Sequence, residues 1–256
     1  MKMTAGDISA ANPWVAREGA GLVRAWLLVV AAMVYAMILV GGATRLTDSG
    51  LSITEWRVFL GAIPPMNAED WAAEFERYRT MTAQFHQVNP DMDLAGFQAI
   101  YWWEWGHRQL GRAIGIVFFV PLVFFWLTKR VTPKLLPHLI ALFALGGLQG
   151  AIGWWMVASG VNTELVSVAP DRLRTDVCLA LLIIAYAFWL WLEMGWTKRS
   201  VRQDAGAMAT AILWVTGLQL ALGALVAGLD AGRGYTDWPL MGGKLVPGAM
   251  WTLEPF

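Results

Sequence analysis

The sequence predicts an all-α polytopic membrane protein: a four-helix transmembrane bundle, then a fifth transmembrane helix that starts an incomplete second pseudosymmetric half. Three observations predict the membrane class. Of the 256 residues, 57% are hydrophobic and only 15% are charged, against about 25% charged in a soluble domain. Mean hydropathy is +0.49. Five apolar runs, each about as long as a bilayer-spanning helix requires, alternate with polar segments. The formal net charge is zero, which leaves no basic footprint for nucleic acid. The single cysteine, Cys178, forms no internal disulfide and lies in an apolar run, where packing is its expected role.

Residues 1–21 are polar and form the N-terminal segment, with Asn12-Pro13-Trp14 near the middle. The run 22–40 is the first span; it is longer than the apolar part of a cleaved signal peptide, so it reads as a retained helix. The segment 41–98 is too long for a plain connection. Its first part, Gly41 to Ser52, is rich in glycines and hydroxyls and reads as tight turns; Gly61-Ala62-Ile63-Pro64-Pro65 reads as another. Asn67 caps a predicted helix with Glu69 and Asp70 in its first turn. Trp71, Phe75 and Tyr78 follow at helical spacing, so this short amphipathic helix rests on the membrane surface or covers the outer end of the bundle. Asp93 is the predicted cap of a second short helix leading into Trp102.

The second span is 101–127, with Pro121 as a kink site. The third, 137–157, carries Gly146, Gly150 and Gly153 on one face, a pattern that permits close helix contact. The fourth is 173–192; together 22–192 make the first four-helix half. Residues 193–256 begin the second half, with a span at 208–229 and a turn-rich outer tail containing Trp238-Pro239-Leu240-Met241. Arg17 and Arg24, then Lys129, Arg130 and Lys134, then Lys198, Arg199 and Arg202 fall on one side, which is therefore cytoplasmic together with the N-terminus. A faint repeat links Gly41–Arg45 after span one with Ala227–Gly232 after span five.

The chemistry-bearing stretch is Tyr101-Trp102-Trp103-Glu104-Trp105-Gly106-His107-Arg108-Gln109-Leu110-Gly111-Arg112. A carboxylate, an imidazole and two guanidiniums meet the outer end of an apolar helix. Glu104 and His107, three apart, share a helical face. Gly106 and Gly111 remove bulk beside them, so a flat group has room at the backbone. Neutral imidazole is a common iron ligand, and ionisable groups at a membrane segment are functional candidates. The alternative is an aromatic and charged belt that anchors the helix.

The chain resembles the heme A synthase family, membrane enzymes that oxidise a methyl group of heme O to the formyl group of heme A. The pieces that carry the resemblance are Gly41 to Ser52, Thr54-Glu55-Trp56, Gly61 to Pro65, Trp102 to Arg112, Gly147 to Met156 and Asp230 to Met241, in family order. The lack of an outer-face cysteine pair is like the cysteine-free branch of proteobacteria and mitochondria. The resemblance implies two four-helix halves, the first taking the substrate heme between two histidines, the second holding a structural heme b. It makes His107 an axial ligand of the heme iron and Glu104 the acid–base residue near the reacting methyl. Arg108 and Arg112 would pair with the heme propionates, since guanidinium matches carboxylate geometry.

Two departures stand out. The second histidine should follow an Arg-Leu-x-x pattern, but Arg172-Leu173-Arg174-Thr175 leads to Asp176. Asp176 is a hard oxygen ligand and a poor replacement for imidazole on heme iron; a contact to iron-bound water, or a salt bridge with Arg172 or Arg174, is open to it. Neither His86, in the outer loop, nor His138, at the cytoplasmic end of span three, replaces it. The family's last three spans, with both heme b ligands, are expected to be missing after Phe256, so heme b is not expected on this chain. A shortened gene product, or a reduced relative needing a second subunit, is the expectation. The implied partners are the lipid bilayer, heme O, and heme O synthase or a terminal oxidase assembly factor. Exposed faces of spans one and five also invite a homo-oligomer. The implied location is the bacterial or mitochondrial inner membrane, with the heme site near the outer face. The alternatives are a non-catalytic heme-binding membrane module or inactive relative, and a bundle without cofactor.

Overall fold

A computed structural model describes residues 14, 19–57, 60–195, 203–234, 236–237 and 239–246. Its helices are α1 (Ala20–Leu46), α2 (Ala68–Met81), α3 (Ala83–Gln87), α4 (Leu94–Leu127), α5 (Leu136–Val157), α6 (Pro170–Glu193) and α7 (Gln203–Gly228), with 3-10 turns at Leu60–Ala62 and Ala231–Arg233. Five helices are long and apolar enough to cross a membrane: α1, α4, α5, α6 and Gly206–Gly228 of α7. The protein is an all-α, multi-pass membrane protein.

The first four spans close a ring, α1 against α4, α4 against α5, α5 against α6 and α6 back on α1, while α7 lies outside on α6. The ring is sealed toward the end where α1 begins by Val23, Leu27, Val30, Phe118, Leu122, Leu139, Ile183 and Leu190. The Trp26 indole there donates to Val117 O at 2.7 Å, which satisfies a polar group inside an apolar core. Among the described residues of α7 only Ala224 and Gly228 are buried.

A second, smaller core caps the opposite end, the one predicted to face outward: Tyr78, Phe85, Phe97 and Tyr101, with Trp71 and Phe75 packed on it. The cap belongs to the segment between spans one and two. The Asn67 side chain accepts from Asp70 N at 2.8 Å and starts α2, as its position in the sequence predicts. Asn67→Ala is expected to cost about 1 kcal/mol, read as lost unfolding stability in detergent.

Several elements differ from the sequence expectation. Gly41 to Leu46 is the last part of α1 and not a turn; Thr44 and Thr47 hydroxyls bond back to Val40 O and Ala43 O and carry the helix to its end. Asp93 does cap a helix, accepting from Gly96 N at 2.8 Å, but that helix is α4 itself, unbroken from Leu94 through Pro121 to Leu127. Of the small-residue stripe on α5, a side chain at Gly146 or Gly150 would meet nothing within 4 Å, so these glycines mediate no close helix contact among the described residues. The ends of the faint repeat meet: Arg45 of α1 and Asp230 after α7 form an ion pair at 2.8 Å. The predicted cytoplasmic cations Arg17, Lys198, Arg199 and Arg202, and Trp238 of the tail, lie outside the described residues.

Candidate functional site

Between its two cores the spans carry only half-buried and exposed residues. No residue is buried on α1 between Val34 and Thr44, on α4 between Glu104 and Phe118, on α5 beyond Leu142, or on α6 before Ile183. At about 1.5 Å per residue the open stretch of α4 is about 21 Å long. Natural helix bundles fill such a level with side chains; here it is lined by glycines and half-buried groups. His107 and Asp176 both lie within it.

His107 is held against α1. A Cβ on Gly41 would lie 3.1 Å from His107 Nε2, so glycine at 41 is what leaves room for the ring. Among the described residues no hydrogen bond to the imidazole is formed, so its nitrogens are not committed elsewhere. Gly41→Val is expected to displace the ring and abolish any heme band that depends on it, while circular dichroism shows the helical content retained. Gly111, read from sequence as room for a flat group, instead faces Met37 of α1, whose Cε would be 3.3 Å from an added Cβ; Gly106 does open on unfilled space.

Asp176 sits opposite α5, accepting from Gln149 Nε2 at 2.9 Å. Gly153 accommodates it, since an added Cβ would be 3.4 Å from Asp176 Oδ1. The expected salt bridge to Arg172 or Arg174 does not form among the described residues. Arg172 donates to Trp155 O at 2.8 Å and stacks over the Trp155 ring. Gln149 Oε1 is buried with no partner among the described residues, an acceptor left open at this level. Sequence reading passed over Gln149, although a polar side chain within a span is itself a signal.

Glu104 turns out to be the centre of a different unit. Its carboxylate is 2% exposed. Oε2 accepts from Ser52 Oγ at 2.8 Å and from Ile53 N at 2.7 Å; Oε1 accepts from Arg108 Nε at 3.0 Å and Nη2 at 2.5 Å. Arg108 continues to Glu55 O at 2.9 Å and Ile53 O at 2.6 Å. The pair thus clamps the strand-like stretch 52–55 onto α4. Its i,i+4 spacing was legible as an ion pair; the loop it holds was not.

Arg112 donates to Gln109 Oε1 at 2.9 Å and Arg57 O at 3.0 Å. It and Arg108 line an outer pocket of about 410 Å³ with Tyr101, Arg57 and Arg77. Arg57 and Arg77 are each bridged to Glu55 and Glu74. The hydrogen bond with Glu74 raises the Arg77 pKa against the opposing effect of burial. His138 lies apart at the start of α5, 2.7 Å from the Tyr186 hydroxyl, and His86 is exposed on α3.

Comparison with known proteins places the chain in a family. The family of cytochrome oxidase assembly proteins designated COX15-CtaA matches residues 24–256. The chain belongs to this family. A heme A synthase of Hyphomonas neptunium is 57% identical over 230 residues, 89% of this chain and 65% of the relative. One of Paracoccus denitrificans is 50% identical over 238 residues, 90% of this chain and 62% of the relative. One of Mesorhizobium japonicum is 46% identical over 253 residues, 97% and 69% respectively. The chain therefore spans about two thirds of the length of these relatives. No solved structure matches it. The matched range includes Glu104, His107 and Asp176.

Proposed function

We propose that this chain carries the substrate half of a heme A synthase, binding heme O for conversion of a methyl group to the formyl group of heme A in terminal oxidase biogenesis. The observation that carries the reading is His107, half-buried between the two cores of the four-helix ring, with an imidazole that forms no hydrogen bond among the described residues. The names of the relatives, heme A synthases at 46–57% identity, support it.

The residues present fit a heme on one side. A neutral imidazole lodged against Gly41 suits axial ligation of iron, and the open acceptor Gln149 Oε1 fits a bound group or water nearby. When bound, the porphyrin iron supplies the oxidative chemistry. His107 would fix its position and so the methyl's, the orientation part of catalysis. Glu104 is the acid–base group of this reading; while Arg108 and the Ser52 hydroxyl hold it, it serves as a carboxylate acceptor at the outer boundary. Arg108 keeps one Nη1 hydrogen, and Arg108 and Arg112, whose guanidiniums match carboxylate geometry, are the proposed partners for propionates directed to the outer face. The proposal assigns no residue of this chain to heme b. The cytoplasmic N-terminus, inner-membrane location, self-association and a partnership with heme O synthase or an oxidase assembly factor belong to the same reading.

Asp176, tied to Gln149 in place of a second imidazole, favours a second reading: a heme-binding module without turnover. One experiment separates them. Membranes containing the chain are supplied with heme O and extracted hemes are resolved by chromatography. Heme A that depends on His107 supports the enzyme; bound heme O with no heme A supports the module; no bound heme rejects both.

A further inference from the structure

Beyond the larger apolar core, the inward faces of the four ring helices continue to Gly41, His107, Gln149 and Asp176. At about 100° per residue, positions 7, 11 or 18 apart on a helix differ in direction by about 20° or less. His107 therefore continues the face of α4 that buries Phe118 and Phe125, and Gly41 the face of α1 that buries Val30 and Val34. Gln149 continues the face of α5 that buries Leu142, and Asp176 the face of α6 that buries Ile183 and Ala187. The stacked rings of Phe118 and Phe143, 6.0 Å between centroids, set the register of α4 against the antiparallel α5. Counted from that contact at about 1.5 Å per residue, the Gln149 amide stands about 8 Å nearer the apolar core than the His107 imidazole.

The Gln149 amide has a fixed orientation. Nε2 donates to Asp176 Oδ1 at 2.9 Å and to Asp176 O at 3.1 Å. A backbone carbonyl only accepts, so the nitrogen must face α6 and the oxygen turns away from it. Oε1 is buried and accepts from no group among the described residues. Glycines one turn to either side leave it room. An added Cβ at Gly146 would meet nothing within 4 Å, and at Gly153 only Asp176 Oδ1 at 3.4 Å. A desolvated amide oxygen within a span needs a donor, and a bound molecule can bring one.

We propose that Gln149 Oε1 accepts a hydrogen bond from a hydroxyl at the edge of the porphyrin ligated by His107, with Asp176 as the positioning residue that holds the amide. The inference rests on the heme reading above and names the feature that the site selects: a hydroxyl on the first carbon of a ring substituent. Heme O has such a hydroxyl on the carbon that joins its isoprenoid chain to the ring. The offset of the amide from the imidazole along the bundle suits a group at the ring's edge; a group on the iron itself would lie closer to His107.

The test compares two iron porphyrins that differ at this group: hematoporphyrin, with hydroxyethyl substituents, and mesoporphyrin, with ethyl in their place. Each is titrated into the full chain purified in mild detergent, and binding is read from the Soret band. The affinity ratio of hematoporphyrin to mesoporphyrin should be about tenfold higher in the parent than in Gln149→Leu. Comparing ratios cancels the different partitioning of the two porphyrins into detergent. Asp176→Leu should lower the ratio in the same direction while the band persists. Gln149→Leu combined with Asp176→Leu, which leaves no carboxylate without its donor, gives the same reading where the single change does not fold. Size-exclusion elution and helical content establish the fold of each variant. His107→Ala should lose the band with both porphyrins. If neither porphyrin gives a His107-dependent band, the heme reading falls and this inference with it. If the band forms but folded Gln149→Leu keeps or raises the parent's ratio, the amide oxygen is met by water and this inference alone is overturned.

Discussion

His107→Ala is expected to abolish the Soret band of the chain purified from cells supplied with heme O, with the helical content unchanged. The imidazole forms no hydrogen bond among the described residues and occupies a level that no core residue fills. Removing it therefore leaves no buried partner unsatisfied. The loss should fall on the ligand and not on the fold. Added imidazole should restore the band, since the space against Gly41 remains. In the parent, the residue in place of the second imidazole is Asp176, a hard ligand already bonded to Gln149. The iron should then be high-spin or water-ligated, and Asp176→His should convert it to a six-coordinate low-spin spectrum. A Soret band that survives His107→Ala unchanged would remove this residue from the heme site.

Glu104→Ala should be the most destabilising single change at the outer cap. It strands Arg108, 15% exposed, without its carboxylate, and releases Ser52 Oγ and Ile53 N. Removing one partner of a buried ion pair costs about 3–5 kcal/mol. The sign is a loss, because the remaining guanidinium stays buried by its bonds to Ile53 O and Glu55 O. Glu104→Gln keeps an acceptor for the loop and should cost less, about 1–3 kcal/mol. The double change Glu104→Ala with Arg108→Ala should be less harmful than the sum of the two, since it removes the stranded charge. Denaturant unfolding in detergent reads all three. If folded Glu104→Ala is as stable as the parent, the carboxylate does not clamp the loop, and its role is confined to chemistry.

These two residues show how far sequence reading reached. From the chain alone came the membrane class, the five spans, and the helix caps at Asn67 and Asp93. Each rests on a local property: the length of an apolar run, or the identity of a residue beside one. The same locality produced the misreadings. Gly41–Leu46 resembles a turn by composition, yet it is helix because hydroxyls bond one turn back and because His107 requires a bare backbone there. Asp93 starts a helix in either reading; only the aromatic cap packed around Phe97 and Tyr101 keeps that helix continuous into the span.

What the tertiary structure alone decided are the partnerships across the chain. Ser52 and Ile53 meet Glu104 about fifty positions away, Gln149 meets Asp176, Arg112 passes Gly61, and Arg45 reaches Asp230. No spacing rule encodes such pairs, because they depend on how helices rotate about their axes once the ring closes. That rotation faces His107 toward α1 and turns Arg108 and Arg112 to the flank. The half-buried level between the two cores is likewise a property of the assembled ring, since burial depends on neighbours that no single helix displays.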